Sequence, residues 1–329
     1  MGKEGYFDLD QVGQEMTNYY RENGFLVLRN AISACEVKEL CKEVVAICRG
    51  QRGQFKLERS AEDKTQERVP IAQTPGIEEL EDLTDDEVIS RLLCLHQPHK
   101  CSDLISKFLA HPSITQTLTR VIGPNVKCMQ SMLFIKSAGK PGQAWHQDEN
   151  YIPTRDRSLC GAWIALDDAT VDNGCLHIIP GSHKSGIQWP QYPHNDERFD
   201  CSYASYKFPY DDTDSIPVEV PKGSAVFFNG YTLHRSLPNT RQSGFRRALV
   251  NHYMSAESFL PWACQEGVAM AKTDFRDVVM VAGEDPYPWK KYQDITEPSI
   301  RPVGEGGCGD GRVDLVTFRE SDRNDKEYL

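Results

Sequence analysis

No apolar run in this 329-residue chain reaches membrane-spanning length, which excludes a conventional transmembrane helix from the expected architecture. No two of its eleven cysteines stand as Cys-x-x-Cys, so a thiolate zinc knuckle or a thioredoxin-type motif is not expected. An odd count also argues against a complete disulfide framework. Buried free thiols in a reducing compartment are the simplest reading. Positive charge is in deficit, with 37 Lys and Arg against 48 Asp and Glu. The net charge of −11 argues against nucleic acid or an anionic membrane as the main partner. The first residues lack an apolar signal core, and Tyr6 stands where a myristoylation motif needs Ser or Thr. Glu327-Tyr328-Leu329 is not the peroxisomal Ser-Lys-Leu address. A cytoplasmic protein is therefore expected. Oligomeric state is not legible.

What is present suits a sizeable core, with 39% apolar and 26% charged residues. The spacing predicts a helix over 10–23 ended by Gly24, then a strand over 25–28. Ser33 and Glu36 form a capping box for a helix whose apolar face runs from Val37 to Cys48. Residues 51–80 are polar and aperiodic and read as a mobile loop or a segment ordered by ligand. A second capping box, Thr84 with Glu87, predicts a helix to about His96, and short helices follow at 101–109 and 112–121.

From Val126 the period changes. Strands are expected at 126–136, 162–166, 175–179, 217–220, 225–228, 232–236 and 247–254. The turn Asp172-Asn173-Gly174 is expected to join the second and third of these. The fold class is mainly β with flanking α-helices, a double-stranded β-helix or jelly roll. The expected organisation is one domain over 1–295, with a helical part to 124 and a core over 125–262. Residues 296–329 read as a weakly ordered tail.

His146-Gln147-Asp148 is the informative motif, since a strand sets residues i and i+2 on one face. With His234 arriving from a distant strand, two imidazoles and a carboxylate would form a facial triad. Non-haem Fe(II) oxygenases use that arrangement because it leaves positions open. His194-Asn195-Asp196 has the same spacing, but Pro190 and Pro193 argue for a loop and against a metal site. Such iron chemistry commonly draws electrons from 2-oxoglutarate, whose far carboxylate needs a cation. Arg246 and Arg247 begin the strand after His234 and must face opposite ways. Trp145, Tyr151 and Asn229 neighbour the triad and are candidate substrate contacts. His177 and His183 read as structural.

Several motifs in order are similar to the phytanoyl-CoA dioxygenase family of Fe(II)/2-oxoglutarate oxygenases. They are Trp145-His-Gln-Asp148, Gly161-Ala-Trp-Ile-Ala165, Asp172-Asn-Gly-Cys-Leu176, Pro180-Gly-Ser-His183, His234-Arg-Ser236 and Gly244-Phe-Arg246. The resemblance begins near Tyr20 and runs to about Trp262. It implies Fe(II) on His146, Asp148 and His234, and 2-oxoglutarate with O₂ as cosubstrates. It places the 2-oxoglutarate carboxylate on Arg246 and Ser236, with Trp163 beside it and Gln130 as a further contact. It implies hydroxylation of an aliphatic C–H in a small or medium organic molecule through a ferryl species. Two other readings stay open at this point: a barrel isomerase or hydrolase using the same triad with another metal, and a member that binds but does not turn over. The acidic chain also suggests that the substrate is not an acyl-CoA.

Overall fold

Four consecutive buried residues, Phe25 to Leu28, show how the molecule is layered. Neighbours on a strand point to opposite faces. Phe25 and Val27 pack in one apolar cluster with Trp163, Val226, Phe228 and Val250. Leu26 and Leu28 pack in another with Ile164, Phe227, Leu249 and the helical Leu40, Val44 and Ile47. A sheet covered on both faces needs apolar side chains at every position, which is why these runs lack polar alternation.

The structure, a computed structural model, describes residues 4–57, 68–70, 82–194, 196–200, 203–258, 273–274, 278–289, 291–292 and 297–302. An eleven-stranded sheet carries the fold. Its order is Tyr6–Phe7, Phe25–Leu28, Ala225–Asn229, Cys160–Ala165, Phe245–Ser255, Val126–Ser137, Leu92–His96, Ser299–Pro302, Gln54–Leu57 and Arg68–Pro70, with Val279–Ala282 also paired to Val126–Ser137. A four-stranded sheet faces it, in the order Ile216–Val218, Leu176–Ile178, His234–Ser236 and Gln143–His146. Leu176, Ile178 and Val218 close the core between the two sheets. The helices cover the other face of the large sheet.

The helix Ala34–Cys48 opens on the Ser33 capping box, with Ser33 N–H donating to the Glu36 carboxylate at 2.7 Å. The helix Gln14–Asn23 ends at Gly24, whose φ of +78° suits glycine. An added Cβ there would also run into His183 and Thr232.

Several sequence expectations need correction. The helix from Thr84 stops at Ser90, and Leu92–His96 is a strand paired with Val126–Ser137. Its Leu-rich run fits either structure locally, and the open edge beside it decides. Part of the 51–80 segment is also strand, at 54–57 and 68–70; residues 58–67 and 71–80 lie outside the described residues. Asp172-Asn173-Gly174 does not close a hairpin. Cys160–Ala165 belongs to the large sheet and Leu176–Ile178 to the small one, so this turn carries the chain between sheets. Ser299–Pro302 pairs inside the large sheet, within the stretch read as tail; residues 303–329 lie outside the described residues. The segment read as helical, 1–124, also supplies five strands of the large sheet. Gln191–Pro193 pairs with Tyr203–Ser205 despite Pro193 and the preceding Pro190, in an isolated two-stranded ribbon.

Candidate metal centre and its pocket

The short strands Gln143–His146 and His234–Ser236 run antiparallel, with His146 directly opposite His234. Their rings lie 4.1 Å apart. Asp148 sits just past the first strand, in a single 3-10 turn, so that turn rather than the strand pleat returns its carboxylate. Asp148 Oδ1 is 3.6 Å from Nε2 of both histidines. One ligand atom from each of the three residues lies within 4.8 Å of the others. Each imidazole donates from Nδ1 to the carbonyl two residues earlier, His146 to Ala144 at 2.8 Å and His234 to Thr232 at 3.0 Å. Both Nε2 lone pairs therefore face the gap, as in metal-ligating histidines.

Electrostatics favours the same protonation states. Burial first, and His234 second, push His146 down to about 4, so its ring is neutral at physiological pH. Burial works to raise Asp148. The neighbouring His234, His252 and His146 outweigh it and hold the carboxylate below its ordinary range.

The centre opens into a cavity of about 300 Å³ between the sheets. Met132, Phe134, Leu176, Phe228 and Val250 form its apolar wall. Arg246 reaches the same cavity and is only 3% exposed. Its guanidinium lies 5.4 Å over the Trp163 ring. Among the described residues no carboxylate forms an ion pair with it, and its Nε has no partner. Burial lowers Arg246 to about 10, which still leaves it charged near neutrality. A buried cation without an anion is a site prepared for one. Ser236 lies nearby in the lining, and its hydroxyl accepts from Lys136 Nζ at 2.9 Å.

Of the other candidates, Gln130 and Tyr151 line the cavity, Tyr151 edge-on to His146. Trp145 and Asn229 do not. Trp145 neighbours His146 on a strand, so it faces the other way, donating to Asp212 at 3.3 Å beneath the Arg235 guanidinium. Asn229 holds a turn, accepting from Tyr231 N–H and donating to the Arg157 carbonyl. Arg247 points away from the cavity, but not into free solvent: it pairs with Asp167 at 2.7 Å. His177 is half-buried beside Arg235, and His183 bonds to the Arg21 carbonyl. His194 accepts from Asp196 N–H, whose carboxylate is taken by Arg198. Among the described residues only His146, Asp148 and His234 form a potential ligand cluster.

Sequence reasoning missed His96, His252 and Lys136. His252 shares a strand face with Arg246, Ala248 and Val250, so counting in twos from Arg246 finds it. The same count from Gln130 through Met132 and Phe134 finds Lys136.

Two facing β-sheets that enclose two histidines, a carboxylate and a buried arginine with no ion pair among the described residues define a 2-oxoglutarate-dependent non-haem iron oxygenase. The family model for phytanoyl-CoA dioxygenase (PhyH) matches residues 20–248, and the chain belongs to that family. It is 29% identical over 250 residues to the peroxisomal phytanoyl-CoA dioxygenase of Bos taurus, covering 74% of this chain and 68% of the relative. It is 27% identical over 270 residues to phytanoyl-CoA dioxygenase domain-containing protein 1 of Danio rerio, covering 76% and 92%. In fold it is similar to the non-heme monooxygenase ThoJ, with a TM-score of 0.57, 18% identity and 82% and 84% of the two chains covered. The epimerase SnoN, solved with Fe3+, alpha ketoglutarate and nogalamycin RO, superposes with a TM-score of 0.55 at 18% identity, covering 89% and 98%.

Proposed function

We propose that this chain, as a single domain, hydroxylates an aliphatic C–H of a small or medium organic molecule. In this reading Fe(II) is held by His146, Asp148 and His234, and 2-oxoglutarate by Arg246, Ser236, Trp163 and Gln130. One observation carries it: the triad and the buried Arg246 share one cavity. The donor set suits the metal, since two neutral imidazoles and one carboxylate are the ligands of non-haem Fe(II). Iron bound there supplies the activation of O₂. The overall balance is substrate, O₂ and 2-oxoglutarate giving hydroxylated substrate, succinate and CO₂.

The chain's residues supply the rest. Arg246 and Ser236 anchor the far carboxylate of the cosubstrate by charge-assisted hydrogen bonds. The Trp163 ring covers one side of the guanidinium. Phe228, Met132 and Val250 exclude water and give an alkyl segment an apolar wall. Holding the target C–H beside the metal is the main task left to the protein. The substrate in this reading is not an acyl-CoA. Of the cations expected near the site, Lys184 pairs with Glu22 and Arg235 with Asp212. Cytoplasmic residence remains our reading, although mammalian relatives are named peroxisomal. The eight cysteines among the described residues are all free, which supports a reducing compartment. No helix among the described residues is long and apolar enough to cross a membrane.

The test is 2-oxoglutarate-dependent succinate release and O₂ uptake by iron-loaded protein, before and after adding a panel of substrates. Succinate should form in the wild type, fail in His146→Ala, and need about ten- to a hundredfold more 2-oxoglutarate in Arg246→Ala. An iron-loaded wild type that neither binds nor consumes 2-oxoglutarate would sink the proposal.

A further inference from the structure

Asp148 uses its two oxygens differently. Oδ1 is 3.6 Å from both His146 Nε2 and His234 Nε2, facing the gap between them. Oδ2 turns the other way and meets His252 Nε2 at 3.1 Å. A carboxylate only accepts hydrogen bonds, so His252 is the donor. Asp148 comes from the turn after a small-sheet strand, while His252 stands on the central strand Phe245–Ser255 of the large sheet. The bond therefore ties the carboxylate across the cavity to the opposite sheet. His252 is 5% exposed and stands in register between Gln130 and Gly161, and its ring lines the cavity.

We infer that His252 is a positioning residue that limits Asp148 to one-oxygen ligation, keeping Oδ2 off the metal. The inference rests on the metal-centre reading above and adds to it. A free carboxylate can bind a hard cation through both oxygens. With two histidines and both Asp148 oxygens bound, an octahedral centre would retain two open positions. The keto-acid end of 2-oxoglutarate needs two, and O₂ needs a third. One hydrogen bond from the large sheet thus preserves the third position. A second partner on a ligating carboxylate is also the kind of support whose loss costs about 10–100-fold in metal affinity or activity.

The test uses Co(II) as the probe, added to full-length wild type, His252→Phe and His252→Gln. Gln can still donate to Oδ2, whereas Phe keeps bulk and loses the donor. Thermal melts and circular dichroism establish that each variant is folded. Co(II) affinity is read by calorimetry, coordination by the intensity of the visible d–d bands, and cosubstrate binding by 2-oxoglutarate titration of the Co(II) protein. His252→Phe should keep Co(II), at most about 10–100-fold more weakly, and still bind 2-oxoglutarate. Its band intensity should differ from the wild type both before and after 2-oxoglutarate is added, because Oδ2 fills the position that the wild type keeps open. His252→Gln should restore the wild-type spectra. Wild-type spectra in His252→Phe, with and without 2-oxoglutarate, would overturn the inference, leaving His252 as cavity wall. Loss of Co(II) from folded His252→Phe would overturn it too, because a ligation-mode role requires the metal to stay. A wild type that takes up no Co(II) would instead remove the metal-centre reading, and this inference with it.

Discussion

Arg246 and Lys136 are direct cross-strand partners in the register between Phe245–Ser255 and Val126–Ser137. Both are buried, at 3% and 5% exposure, so two cations share one dry face. Lys136 spends its protons on Ser236 Oγ and the Leu237 carbonyl, the latter at 2.6 Å. Gly174 makes room for this: at a φ of +82°, its missing Cβ leaves space beside the Lys136 stem and the Leu237 carbonyl.

That pairing predicts proton uptake on cosubstrate binding. Burial first, and Arg246 second, pull Lys136 well below its ordinary value. An anion placed on Arg246 favours the charged ammonium and raises Lys136 again. Between the lowered and the raised value, binding must take up protons. Calorimetry of 2-oxoglutarate binding in buffers of different ionisation heat should show uptake in the wild type and none in Lys136→Met. Equal heats in all buffers would mean that Lys136 is charged throughout.

Metal retention should follow the cluster and ignore its look-alike. His146→Ala and His234→Ala should lose tightly held Fe(II), measured as iron per chain after desalting. His194→Ala should keep it, because His194 and Asp196 are occupied with each other and with Arg198. Iron loss in His194→Ala equal to that in His146→Ala contradicts the assignment.

The adjacent arginines should separate cosubstrate binding from stability. Arg246→Ala should raise the 2-oxoglutarate KM about ten- to a hundredfold, the loss of a charge-assisted contact worth roughly 1.5–3 kcal/mol. Arg247→Ala should leave KM alone and lower Tm, because it abandons the half-buried Asp167 after breaking bonds of 2.7 and 2.8 Å. About 1–3 kcal/mol is expected, discounted for partial exposure. KM changes in Arg247→Ala without a stability change would reverse the two roles.

How much of this was legible depends on whether a residue's neighbours in sequence report its environment. The small-sheet motifs did: His146, Asp148 and His234 stand among turn and strand signals that locate them without a structure. Of the two adjacent arginines, which cannot share a strand face, it was the family resemblance that picked Arg246 as the inward one. Lys136 and His252 were not singled out because the large sheet is buried on both sides. Ser131, Leu133 and Ile135 on one face are fully buried, and Gln130, Met132, Phe134 and Lys136 on the other are buried or partly so. Apolar residues stand on both faces, so alternation alone does not mark which face holds the site. His96 was lost for a different reason: its strand follows a genuine capping box and was absorbed into the helix that the box begins. Trp145 and Asn229 show the converse error, adjacency in sequence taken for adjacency in space.

Arg301 should support the cosubstrate end from outside it. It is 2% exposed and pairs with Asp200. Asp200 lines a small recess with Lys136 and Arg246, and its Oδ1 has no partner. Removing Arg301 leaves a buried carboxylate whose remaining cations are those facing the cosubstrate. Arg301→Leu should therefore lower Tm, with a broken buried pair costing about 3–5 kcal/mol, and raise the 2-oxoglutarate KM. The double variant Arg301→Leu with Asp200→Asn should recover KM. A single variant with lowered Tm and unchanged KM would confine the pair to a structural role.

The substrate should not be a CoA thioester, although relatives carry that name. CoA brings several phosphate charges, and recognition by Arg and Lys needs cations free to form new pairs. Three of the basic residues expected near the site are already engaged. Lys184 pairs with Glu22, and Arg235 with Asp212 while stacked 4.5 Å over Trp145. Arg157 lies over the Tyr231 ring. Binding CoA phosphates would first break such contacts, in a chain whose net charge of −11 repels polyanions at distance. The check is 2-oxoglutarate turnover with acyl-CoAs set beside the matching free acids, amino acids and terpenoid or polyketide scaffolds. Uncoupled succinate release alone is expected from the thioesters. Salt sensitivity adds a second readout, because phosphate recognition by surface cations weakens steeply with ionic strength. Tight, salt-sensitive and fully coupled hydroxylation of an acyl-CoA would show that these cations exchange partners readily and that net charge was the wrong guide.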